Sequence, residues 1–127
     1  DPDAGFEPDF ILGGGPRLIA AGRSVIAEDA SSYAEAFYTT RHPRTAIGRR
    51  ADGRLVLVTV DGRQPALSVG MSIAELASLM LELGCTEAMN LDGGGSTTMV
   101  AGGRIVNSPS DATGERPVSD ALLVVRR

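Results

Sequence analysis

The chain contains no lysine; its 12 basic residues are all arginine. It has one cysteine and one histidine. No apolar run approaches the roughly 18–20 residues that a membrane-spanning helix requires. A lone Cys85 excludes an internal disulfide, and its place in an apolar stretch reads as core rather than as a reactive thiol. The net charge of −4 excludes a broad basic face, so nucleic acid is not the expected partner. An anionic ligand would have to be met by local arginines. Near the start, Asp1-Pro2-Asp3 is acidic and Phe10-Ile11-Leu12 is short, so no signal-peptide pattern is legible there.

What is present fits one soluble domain over residues 1–127, with 43% hydrophobic and 22% charged residues. Sixteen glycines are many for this length, and they cluster in Gly13-Gly14-Gly15 and Gly93-Gly94-Gly95 at the ends of apolar runs. Such clusters suggest tight turns and close backbone approach to a ligand.

A short strand is expected at Asp9–Leu12, followed by a Gly-Gly-Gly-Pro turn and a strand pair around Ala21-Gly22. Tyr33–Tyr38 reads as a short helix. Ala46–Arg49 and Arg54–Val60 form a hairpin closed by Asp52-Gly53. The strongest helix covers 72–83: Ser72 and Glu75 have capping-box spacing, Ile73, Leu76, Ala77, Met80 and Leu83 share a face, and Gly84 supplies the C-terminal stop. A buried strand at Glu87–Leu91, a hairpin turning at Ala101-Gly102-Gly103 and a last strand at Ala121–Val125 complete the pattern. The fold class is therefore α+β, a mixed sheet with at least one packed helix and β-hairpins. Strand 54–60, helix 72–83 and strand 87–91 read as a β-α-β unit with parallel strands. Both strands end in Asp-Gly, which would bring Asp61 and Asp92 to one sheet edge, where α/β ligand sites lie.

The most informative segment is Asn90-Leu91-Asp92-Gly93-Gly94-Gly95-Ser96-Thr97-Thr98. A strand delivers a carboxylate, and Gly93, Gly94, Gly95, Ser96 and Thr97 then offer amides and hydroxyls that suit phosphate oxygens. It lacks the Gly-Lys-Ser/Thr ending of a P-loop, and Thr98 breaks the frame of a nucleophile elbow. His42-Pro43-Arg44 places an acid–base candidate and a guanidinium fork before a strand. Asp61-Gly62-Arg63 repeats the pairing of acid, turn and arginine. A polar loop carrying Asp111, Glu115 and Arg116 precedes the final apolar run.

In order and spacing these elements resemble the phosphodiester glycosidase family. The matching pieces are His42 through Gly48, Val60 through Arg63, Ser68 through Ser72, Glu75 through Ala77, Asn90 through Thr98, Val106 through Asp111 and Gly114 through Ser119. The Gly13–Pro16 turn also fits. The resemblance implies hydrolysis of a sugar-1-phosphodiester, such as an N-acetylglucosamine-1-phosphodiester, at the anomeric carbon. It further implies a domain beginning upstream of this chain, so a separate N-terminal fragment joins the small-molecule or glycan substrate as an expected partner. A phosphate monoester has a second pKa of about 6 and leaves with little proton donation. The chemistry then needs charge stabilisation at phosphate and a carboxylate at the sugar. Asp92 and Glu115 are the candidate carboxylates, with Asp61 in support. His42, Arg44, Arg63, Asn90, Gly93 to Gly95, Ser96, Thr97, Asp111 and Arg116 are the candidate binding residues. No cofactor is expected, and no ligand spacing supports a metal held by Asp61, Asp92 and Asp111. The arginine-only composition points to a GC-rich bacterial source and an extracytoplasmic substrate. Rival readings are a non-catalytic sugar-phosphate or glycan-binding module of the bacterial envelope, and a purely structural envelope domain.

Overall fold

A computed structural model describes residues 11–28 and 33–126. Strands β1 (Arg17–Ala20), β2 (Arg23–Ser24), β3 (Arg44–Arg50), β4 (Leu55–Val60) and β5 (Cys85–Leu91) form one sheet in the order β2-β1-β5-β3-β4. All its neighbours are antiparallel. Helices α1 (Glu35–Thr39) and α2 (Ile73–Glu82) lie between strands in sequence, and β6 (Val100–Ala101) pairs with β7 (Arg104–Ile105) as a separate hairpin. The fold is α+β, as the hydrophobic patterning indicates.

Helix α2 forms where its sequence specifies both ends. The Ser72 side chain accepts from the Glu75 amide at 3.2 Å, and Glu75 Oε2 accepts from the Ser72 amide at 2.8 Å. This reciprocal box satisfies two amides that the first turn would leave unpaired. At the other end Gly84 takes φ +82°, and Arg50 of β3 donates to the Leu83 carbonyl at 2.7 Å. That contact supplies the cation that the last turn of α2 lacks.

The core lies between α2 and one face of the sheet. Ile73, Leu76, Ala77 and Met80 bury against Leu18, Ile19, Ala46 and Ala88. Each large side chain removed from water contributes about 1.5–3 kcal/mol before entropy. Gly48 sets how closely the layers approach: a Cβ there would stand 2.6 Å from Cys85 Sγ and 2.7 Å from Met80 Cε.

Because β3 is antiparallel to both β4 and β5, those two run parallel with β3 between them. Arg44 is level with Val60, and Thr45 with Leu91. Asp61 and Asp92, each one residue past its strand, therefore leave the sheet where β3 begins. The one-edge expectation holds, although the strands are not neighbours as a bare β-α-β unit would have them.

Two strand expectations differ. Ala121–Val125 makes no ladder, and Leu123, Val124 and Val125 stand 76–79% exposed. Apolar composition alone does not provide the backbone partner that defines a strand. Of Asp9–Leu12, residues 9 and 10 lie outside the described residues, while Ile11 and Leu12 are irregular.

Candidate active site

The sheet edge where β3 begins opens into a cavity of about 600 Å³. One wall is the turn after β5, where Asp92 is followed by Gly93 and a short 3-10 turn over Gly94–Ser96. The amides of Gly94, Ser96 and Thr97 donate to the carbonyls of Pro43, Gly93 and Gly94, so three of the loop's donors are committed to the protein. What the missing side chains allow is contact with arginine. A Cβ on Gly94 would lie 3.2 Å from Arg63 Nη2, and one on Gly95 would collide with the Arg116 guanidinium.

Arg116 is held in place by Asp111: Nε donates to Oδ2 at 2.7 Å and Nη2 to Oδ1 at 2.9 Å. The fork-to-fork geometry fixes the orientation of the guanidinium. Its effect on the pair is to lower the Asp111 pKa and raise that of Arg116, chiefly through the hydrogen bonds. Asp92 also raises the Arg116 pKa through its charge, which places the two groups close together. Arg63 holds a left-handed backbone, φ +57°. An arginine pays for that conformation where glycine would not, a pattern found at ligand sites.

His42 stands beside Arg63, whose Nη2 lies 3.4 Å from His42 Nδ1. A guanidinium can only donate, so the imidazole accepts at Nδ1 and carries its proton on Nε2. Burial, then the charges of Arg44 and Arg63, lower the His42 pKa. The neutral ring is thereby favoured, and with Nδ1 facing Arg63 it presents Nε2–H as a donor.

Arg44 lines the cavity, but its guanidinium is largely committed. Nε donates to the Met71 carbonyl at 2.9 Å, and Nη2 to the carbonyls of Phe37 and Thr40 at 2.9 Å each. A five-residue helix with no basic residue in its last turn leaves carbonyls unpaired, and the 2%-exposed Arg44 fills that need. Three of the five guanidinium N–H groups thus clamp α1 to the start of α2.

A family model for phosphodiester glycosidase matches residues 5–125. The chain belongs to this family. The SPbeta prophage-derived uncharacterized protein YomE of Bacillus subtilis (strain 168) is 46% identical over 84 residues, covering 66% of this chain and 13% of that protein. The N-acetylglucosamine-1-phosphodiester alpha-N-acetylglucosaminidase of Bos taurus is 43% identical over 68 residues, covering 54% of this chain and 12% of that protein. The solved catalytic domain of the zebrafish N-acetylglucosamine-1-phosphodiester alpha-N-acetylglucosaminidase, auto-inhibited by its pro-peptide, superposes with a TM-score of 0.72 at 29% identity. That match covers 85% of this chain and 37% of the zebrafish chain. The chain thus spans a small part of its curated relatives' length.

In this member of the phosphodiester glycosidase family, nine sequence-derived candidates line the cavity: His42, Arg44, Arg63, Asn90, Asp92, Gly93, Gly94, Gly95 and Arg116. Five do not. Asp61 turns into the structure behind the glycine loop, where Oδ1 accepts from the Ser108 amide at 2.8 Å and from Asn107 Nδ2 at 3.2 Å. Asn107 in turn ties Thr97 and Met99. Asp61 therefore positions the loop instead of facing a ligand. Thr97 is 1% exposed, with its hydroxyl 3.3 Å from that of Thr45. Half-buried Ser96 and Asp111 and exposed Glu115 are not part of the lining, although Asp111 holds Arg116, which is. Among the described residues no three His, Cys, Asp or Glu side chains converge, so Asp61, Asp92 and Asp111 do not form a joint cluster. The lining also includes Tyr33 and Phe37, for which the helical pattern over 33–38 is the pointer in the sequence, and Pro43 of the His42-Pro43-Arg44 motif.

Proposed function

We propose that the chain hydrolyses a sugar-1-phosphodiester at the anomeric carbon, releasing sugar and a phosphate monoester. The observation that carries this reading is one uncommitted carboxylate, Asp92, in a cavity where Arg63 and Arg116 lie against a glycine backbone. The positive groups are local, in a chain of net charge −4. A phosphate leaving group requires electrostatic stabilisation more than protonation. Arg63, Arg116 and the Nε2–H of His42 suit its oxygens. Asp92 takes the proton of the attacking water, the water oxygen bonds to C1, and the C1–O bond breaks with its electron pair going to phosphate. One carboxylate and a self-sufficient leaving group meet the needs of a single displacement, which inverts the anomeric configuration. The kinship with enzymes named for N-acetylglucosamine-1-phosphodiesters supports the same bond as the target. The substrate in this reading is a glycan-linked phosphodiester outside the cytoplasm.

Hydrolysis of an N-acetylglucosamine-1-phosphodiester in ¹⁸O-water tests the reaction. The label is expected at C1 of the released sugar, whose first-formed anomer is opposite to that of the substrate. Label in the phosphate would mean that the P–O bond is cut, and would replace this reading with a phosphodiesterase.

A further inference from the structure

The cavity has two chemically distinct ends. The arginines and Gly94-Gly95 form one. At the other, the Gly13–Gly15 turn meets Tyr33, Phe37 and Asn90. Tyr33 stacks on Phe37, with centroids 5.0 Å apart and planes inclined by 21°. The Arg44 guanidinium lies over the Phe37 ring at 5.0 Å, and its charge is already directed to backbone carbonyls. Phe37 rests against the core. Tyr33 is thus the outer ring of the stack, 40% exposed, with its hydroxyl over Gly15, where a side chain would collide with it.

Asn90 lies at the base of the same end and is 3% exposed. Its Nδ2 donates to the Gly15 carbonyl at 2.9 Å, which fixes the amide orientation. Oδ1 is consequently the acceptor, and it is buried with no partner among the described residues. A buried amide oxygen without a donor is uncommon in a folded chain and marks a place where an outside donor is favoured.

We infer that this end is the sugar subsite: Tyr33 packs on the C–H face of the pyranose, and Asn90 Oδ1 accepts from a sugar hydroxyl or N-acetyl N–H. The ligand that fits both ends carries an apolar ring face, hydrogen-bond donors and an adjacent anion. This assignment rests on the glycosidase reading for the role of the arginine end.

Isothermal titration of the full chain with three probes tests it: a methyl phosphodiester of N-acetylglucosamine-1-phosphate, free N-acetylglucosamine, and dimethyl phosphate. Tyr33→Ala is expected to raise Kd about tenfold for both sugar-containing probes and to leave dimethyl phosphate unchanged. Tyr33→Phe keeps the ring and should bind as the wild type does. Arg63→Ala should weaken dimethyl phosphate and spare free N-acetylglucosamine. If Tyr33→Ala shifts no probe, or shifts dimethyl phosphate equally, the sugar subsite is overturned while the glycosidase reading stands. If free sugar binds through Tyr33 but the diester is never hydrolysed, the subsite stands and the glycosidase reading falls. Failure of the wild type to bind any sugar probe overturns both.

Discussion

A methyl group on Gly95 would collide with the Arg116 guanidinium and come within 2.5 Å of Asp111 Oδ1. Gly95→Ala should therefore displace the arginine without touching the core. Inorganic phosphate is expected to bind about tenfold more weakly, as when one charge-assisted contact is lost, with a melting temperature close to wild type. Unchanged phosphate affinity would show that Arg116 does not face the anion. At this scale the sequence was partly legible. Asp92, Arg63 and Arg116 stood out because acids and arginines next to glycine turns are chemically conspicuous. Roles assigned by partners were not legible. Arg44 is consumed by carbonyls that only a short, uncapped α1 leaves unpaired, and Asp61 by amides 46 and 47 residues away in sequence.

Elements with complete local signals were the easiest to read, α2 above all. Removing its cap with Ser72→Ala should cost about 1 kcal/mol, visible as a melting temperature lowered by a few degrees. Glu75 adds a pH dependence. The hydrogen bond from Arg41, then that from the Ser72 amide, lower its pKa from 4.5 to about 2. A carboxylate with a depressed folded pKa contributes stability that is present above the unfolded value and lost as pH falls through the folded one. The stability gap between wild type and Glu75→Gln should thus be constant above about pH 4.5 and close as pH falls toward 2. A gap that persists at pH 2 would contradict the assignment. One element misread was 121–125, where an apolar run met no ladder partner. Strand identity depends on a neighbour, and periodicity does not reveal one.

For the whole molecule, the contact between α2 and the sheet holds the site in place, since β3, β4 and β5 all deliver residues to one edge. Met80→Ala should cost about 2–5 kcal/mol through lost burial and a residual cavity. Gly48→Ala should cost about 1–3 kcal/mol by overpacking against Met80 and Cys85. Because a Cβ on Gly48 points at Met80 Cε, the double variant should cost less than the sum in urea unfolding. Additive losses would mean that the two layers do not meet there. The edge itself was foreseeable from connectivity. The inserted β3 was not, because antiparallel pairing with both neighbours is a property of the assembled sheet.

In the proposed reaction Asp92 is the base in a cavity whose arginines hold the phosphate. Phosphate-monoester release from an N-acetylglucosamine-1-phosphodiester, followed by ³¹P NMR for the wild type and Asp92→Asn, tests it most directly. Asp92 is exposed and has no hydrogen-bond partner among the described residues, so its replacement should leave the melting temperature unchanged. Turnover is predicted to fall by about 10²–10⁴-fold, the usual contribution of a general base. Wild-type turnover that persists in folded Asp92→Asn would contradict the account.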